Sequence, residues 1–213
     1  AACLICGSVV DDKTTRKLFR VGKSGKRMLS VVLHHPKKQG KTYRIATEKD
    51  MEIFNEAEEY LKKERERLMV KWGIDPVPDE LITTPCHDVD RPPMYGMKLW
   101  GDIFNSRQKL ALIIFAEKIR ELNNNFHIND KEYIMVIQTY LALVLNKVIG
   151  KSNTFARWNN ISEKVEYLFA RQALQMLWDY AESNLISQFA GGWQEYIKYT
   201  IAALEFINST GTG

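Results

Sequence analysis

Cys3-x-x-Cys6-Gly7 is the pattern in this chain with the most evident chemistry. Two thiolates two residues apart in a tight turn can share one Zn²⁺, and a glycine permits the turn's backbone geometry. A structural zinc site needs four ligands. Cys86 and His87 are the further candidates, but they lie about 80 residues on, which is not ribbon spacing. Three readings stay open: half of a zinc ribbon whose second pair lies upstream of Ala1, a complete site that recruits Cys86 and His87, or no metal. A redox C-x-x-C is disfavoured, because no thioredoxin-like βαβ pattern surrounds the pair.

A run of cations follows: Lys13, Arg16, Lys17, Arg20, Lys23, Lys26, Arg27, Lys37, Lys38, Lys41 and Arg44. Opposing acid is nearly absent there. Arg20, Lys23, Lys26, Arg27, Lys37, Lys38, Lys41 and Arg44 are therefore candidates to neutralise DNA phosphates. Each such contact steepens the log–log salt dependence of binding by about 0.9. The plainer reading is a solvated charged face. Two other patterns fail. Gly22-Lys23-Ser24 has the end of a P-loop, but Lys17 stands where the loop's first glycine belongs. Arg91-Pro92-Pro93-Met94-Tyr95 has the prolines of the Asp/Asn-Pro-Pro-Tyr motif of amino methyltransferases. Its first position is Arg and its aromatic is displaced by one residue, so it lacks the acceptor that the chemistry requires.

Two longer strings, residues 94–112 and 169–184, each set Arg-Gln near an aromatic: Arg107-Gln108 and Arg171-Gln172. Gln can pair bidentately with adenine, and Arg with guanine or phosphate. Asp179 and Glu182 are three apart. On a helix that spacing shares one face, and it suits an ion pair with Arg107 or Arg171 as well as it suits catalysis. A polar helix-packing network is the plainer account. Trp100, Trp158, Trp178 and Trp193 are expected in the core rather than as a stacking platform.

The elements that position these residues come from 213 residues, 45% hydrophobic and 26% charged, the composition of a soluble globular protein. Three cysteines are too few for a disulfide framework and predict a reducing, cytoplasmic setting. No apolar run approaches the ~20 residues of a membrane span, so no membrane partner is expected. The chain begins without Met, just before the Cys pair, and reads as a piece of a longer protein. Its formal net charge of +4 conceals an asymmetry: residues 1–47 hold 11 Lys/Arg against Asp11 and Asp12, while the remaining 19 basic residues face 24 acidic ones. Such asymmetry hints at a nucleic-acid-facing module beside an acidic one.

Short strands are predicted over 16–21, 28–34 and 41–46, separated by Gly22, Gly25, Pro36 and Gly40. Thr47 with Asp50 approximates a capping box that opens a helix. Phe54, Ala57, Leu61 and Leu68 form its apolar stripe, and Gly73, Pro76 and Pro78 end it. About five helices are expected after a proline-rich linker over 73–97. Asn105 and Gln108 cap one that buries Leu112, Phe115, Ile119 and Leu122. Asn129 and Glu132 cap another that turns Ile134, Ile137, Leu141, Leu145 and Val148 inward, up to Gly150. A third covers 162–182, and Trp193, Ile197, Ile201 and Leu204 mark the last. The fold class is therefore α+β: a zinc-knuckle and basic β segment (1–47), a helix and linker (48–97) and a helical bundle (98–213).

The two strings resemble a known family, the adenine-specific DNA methylases that contain a zinc ribbon. Tyr95, Gly96, Met97, Trp100, Gly101, Asp102, Phe104, Arg107 and Gln108 match one block of that family. Arg171, Gln172, Ala173, Leu174, Met176, Trp178, Asp179, Glu182 and Asn184 match a second. Cys3 and Cys6 look like the second half of its ribbon, and the likeness covers essentially the whole chain. Gln175 and Leu185 stand where the family usually has proline, and Lys109 replaces an apolar residue. The resemblance implies a parent enzyme that transfers a methyl group from S-adenosylmethionine to adenine N6 in DNA. In that family the cofactor-binding glycine motif precedes this region and the Asp-Pro-Pro-Tyr motif follows it. Neither lies within these residues, so the chain alone is not expected to be catalytic. Its implied partners are DNA and the catalytic domain of the same polypeptide. DNA engagement, target recognition or scaffolding is the expected role; an interdomain or dimerisation module without DNA contact is the alternative.

Overall fold

The computed structural model describes residues 6–83, 91–122, 130–170, 174, 176–188 and 190–211. The fold is α+β. A two-stranded antiparallel sheet near the N-terminus joins five α-helices among the described residues, with a second, very short hairpin.

Residues 16–21 are not a strand. They belong to helix α1, Asp12–Arg20. Asp11 caps it, its carboxylate accepting from Thr14 N at 2.8 Å and Thr14 Oγ1 at 2.8 Å. Asp12 pairs with Arg16 one turn on at 2.7 Å. These local signals outweigh the mixed basic and apolar composition that suggested β structure. The next two segments do pair: β1, Ser30–His34, runs antiparallel to β2, Lys41–Ile45, with Val32 opposite Tyr43.

Helix α2, Glu48–Trp72, opens on the expected capping box and closes on Gly73. Asp50 accepts from Thr47 N at 2.8 Å and is gripped by Arg44 at 2.6 and 2.7 Å, so the end of β2 is locked to the start of α2. These contacts hold the Asp50 carboxyl well below its ordinary pKa. The chain then runs back in an extended stretch. Trp100 N donates to Glu80 O at 3.0 Å, Gly101 N to Pro78 O at 2.9 Å and Ile82 N to Lys98 O at 2.8 Å.

Helix α3, Ser106–Arg120, begins on the predicted box: Gln108 N donates to Asn105 Oδ1 and Asn105 N to Gln108 Oε1. Its buried face is Gln108, Ile113, Glu117 and Ile119, whereas Leu112, Phe115 and Leu122 are only half-buried. Helix α4, Lys131–Ile149, is capped by Asp130 rather than Asn129, which lies outside the described residues. Its inward residues include the five expected, with Val144 added. By length and composition α4 could cross a membrane; here it packs between α3 and the final helix, α5, Trp193–Thr210. Tyr133, Met135, Val136 and Leu143 of α4 stay exposed.

The helix predicted over 162–182 does not form among the described residues of that segment. A hairpin occupies its start: β3, Trp158–Asn159, pairs with β4, Lys164–Val165, and is followed by a single 3₁₀ turn at Leu168–Ala170. Asn159 Oδ1 accepts from Ile161 N and Ser162 N, both at 2.9 Å, and Glu163 takes φ of 46°. That turn chemistry starts a hairpin, not a helix. Three helices, rather than about five, follow the linker among the described residues. The packing order is α2 on α3, α3 on α4 and α4 on α5. One core joins Leu61, Leu68, Val77 and Ile113; another joins Ile82, Ile103 and Phe155.

Candidate nucleic-acid interface

Folding 12–20 as a helix rather than a strand reorganises the cations. Lys13, Lys17 and Arg20, spaced four and three apart, fall on one exposed face of α1. The opposite side packs on the 3₁₀ turn Pro92–Tyr95. Phe19 meets the Tyr95 ring edge-on at 5.7 Å, and the Arg16 guanidinium lies 5.8 Å from its centroid. Gly96 has φ of 83°, and a Cβ there would lie 3.1 Å from Phe19 O. The Tyr-Gly pair of the first block thus seats α1.

The candidate phosphate-binding residues divide into two groups. Arg20, Lys23, Arg27, Lys37 and Lys38 are exposed, the last two in the β1–β2 turn. Three are engaged within the protein. Arg44 is the clamp on Asp50. Lys41 donates to Glu163 O and lies 5.2 Å from the Trp158 ring centroid, so it pins the first sheet to the second hairpin. Solvent reaches much of Lys26, yet protein crowds its ammonium enough to lower its pKa. Lys26 lines a cleft of about 360 Å³ with Phe54, Glu58, Asp102, Phe104 and Lys109. Burial lowers the Lys109 pKa as well. Two carboxylates face the two ammoniums, so the cleft has no strong preference for anions.

The two blocks that carry the family resemblance meet in space. Arg107 Nε donates to Glu182 Oε2 at 3.0 Å. Asn105 Nδ2 donates to Tyr180 OH at 3.0 Å and also to Glu182 Oε1. The sequence left open whether Asp179 or Glu182 pairs with Arg107 or Arg171; the structure sets Glu182 on Arg107, in a polar packing network built without a shared helix. Asp179 and Asn184 are exposed and take no part in these bonds. Asp102 turns inward on its own loop, accepting from Lys98 N at 2.8 Å and Leu99 N at 2.9 Å. Gln108 is buried and its Oε1 serves the α3 cap, so it is not presented to a base. Arg171 and Gln172 lie outside the described residues, as do Cys3, Cys86 and His87. Cys6 is exposed, its sulfur 2.9 Å from Ser8 Oγ. Among the described residues no group of three His, Cys, Asp or Glu could hold a metal.

Gly101 of the first block has a steric reason. A Cβ there would meet Pro78 O at 2.6 Å and Val77 Cγ1 at 2.8 Å. Gly101→Ala must push the 77–78 backbone away, with an expected loss of about 1–3 kcal/mol of stability. Thermal unfolding measures it; an unchanged midpoint would mean that the backbone yields at no cost.

The tryptophans depart from expectation. Trp100 is 37% exposed and Trp178 62%, while Trp158 and Trp193 are half-buried. Sequence reasoning missed the setting of Trp178, because it depends on where α1 lands.

No protein-family model matches the chain, nor does any curated protein or solved structure.

Proposed function

We propose that this chain is the central region of a zinc-ribbon-containing adenine-specific DNA methylase and that it engages DNA. The surface for this is the Lys13–Lys17–Arg20 face of α1 together with Lys37 and Lys38 of the β1–β2 turn. The observation that carries the reading is that cationic helix face, seated on Tyr95 of the first methylase-like block. The docking of that block against the second through Arg107 and Glu182 supports the family assignment. S-adenosylmethionine and the transfer chemistry belong to the catalytic domain of the same polypeptide. This chain orients the duplex by its phosphates and carries no catalytic group of its own.

One observation favours a purely structural module instead: the exposed apolar residues Tyr133, Met135, Val136 and Leu143 on α4. Fluorescence anisotropy on a labelled 20-base-pair duplex separates the two. Under the DNA reading, the affinity falls steeply with salt. Reversal of Lys13, Lys17 and Arg20 to Glu should weaken binding at 0.1 M salt roughly 100-fold or more and flatten the slope by about 3. Salt-insensitive or undetectable wild-type binding at low ionic strength would leave the structural module standing.

A further inference from the structure

The indole of Trp178 is the most exposed tryptophan surface among the described residues with an aromatic scaffold behind it. Phe19 of α1 meets it at 5.5 Å and 77°, and Tyr95 at 5.6 Å and 88°. Phe19 and Tyr95 also meet each other edge-on, so the three rings form a closed triangle. Such edge-to-face contacts hold a ring in one orientation. Yet Trp178 remains 62% exposed, which is incompatible with both of its faces being covered. A concavity of about 250 Å³ opens beside it, lined by Arg91, Tyr95, Met176 and Trp178. Arg16 lies over Tyr95, between this triangle and the Lys13–Lys17–Arg20 face around the helix. Asp12 and Asp179 are the acids nearby: Asp12 is paired with Arg16, and Asp179 is exposed.

We propose that Trp178 is a stacking platform for an unpaired base of a DNA strand whose phosphates run along the cationic face of α1. The inference rests on the DNA-engagement reading above and names the form of DNA that this part of the surface takes. A duplex keeps its base faces stacked on one another and offers only phosphates and groove edges. An unpaired base offers a whole face, which a fixed, open indole beside cations accepts regardless of sequence. The concavity lined by Arg91, Tyr95, Met176 and Trp178 is large enough to admit one base.

The test compares a labelled 20-nucleotide oligothymidine with the 20-base-pair duplex at the same salt, using the full chain. Trp178→Ala should weaken single-strand binding about tenfold, while duplex binding stays within about twofold. Trp178→Phe, which keeps an aromatic face, should retain most of the single-strand affinity and shows that the site still folds. Oligothymidine should also quench the wild-type tryptophan fluorescence, and the Trp178→Phe variant should lose that quenching. If the duplex binds with the expected salt slope but Trp178→Ala leaves single-strand binding unchanged, or weakens both ligands equally, the stacking site is wrong and DNA engagement survives. If wild-type protein binds neither ligand, both proposals fall.

Discussion

Replacing Arg67 and Lys71 together with leucine will lower the unfolding free energy by about 3–5 kcal/mol. Both side chains reach from α2 to one carboxylate on α3. Arg67 donates to Glu117 at 2.8 and 2.7 Å, and Lys71 donates at 2.9 Å. Glu117 is 4% exposed, so its charge is taken out of water and depends on those partners. Arg67 also binds Glu64 and Lys71 binds Glu121, which steers both cations into place. Removing the cations strands a buried anion. Adding Glu117→Leu to the pair should recover most of the loss, because a buried pair breaks about even against apolar residues of similar size. Urea denaturation followed by circular dichroism measures all three proteins. A double variant as stable as wild type would show that water reaches Glu117.

The same site sets an acid limit. The Arg67 guanidinium is the main cause that holds the Glu117 carboxyl down to about 2, from an ordinary 4.5. A depressed carboxyl pKa stabilises the fold through its charged form. That contribution is whole above pH 4.5 and disappears as pH falls through about 2. The triple leucine variant lacks this group, so its stability should fall less than wild type between those pH values.

Leu68→Ala will cost about 2–5 kcal/mol. Leu68 is 0% exposed and lies in the cluster with Leu61, Val77 and Ile113, with Trp72 and Leu110 packed around it. This apolar row lies beside the Arg67–Glu117 row in the same α2–α3 contact. Alanine removes three carbons from a site where Val77 is held by the backbone bonds of the 78–82 stretch, so collapse around the cavity is restricted. For a chain of this size the melting temperature should fall about 2–4 °C for each kcal/mol. Leu68→Met, which conserves volume, should cost less than about 1.5 kcal/mol. Equal losses for Ala and Met would show that shape, not volume, governs the site.

Much of the fold is legible in local chemistry. The Thr47–Asp50 and Asn105–Gln108 boxes start α2 and α3, and Gly73 ends α2. Caps are readable because their partners lie within four residues. The same rule explains the error at 16–21, since Asp11-x-x-Thr14 and Asp12–Arg16 are equally local and mark α1. The 162–182 segment failed for a different reason. Its apolar spacing suits a helix, but Val165 is buried in the short strand β4 and Leu174 is buried outside any helix. Asn159 supplies the turn that diverts it.

The sequence alone determined the α+β class, the starts of α2 and α3 and the charge asymmetry. Each depends on residue type or on close spacing. Which cations are engaged within the protein was decided by the tertiary structure. Arg44, Lys41 and Lys26 lie in the same basic run as Arg20 and Lys37, yet the first three meet Asp50, Glu163 and the cleft beside Phe54. The open face of Trp178 is likewise a tertiary result. Phe19, Tyr95 and Trp178 are separated by 76 and 83 positions. Only the docking of α1 on the 92–95 turn brings those rings together, because a contact between distant residues is set by packing and leaves no periodic trace in the chain.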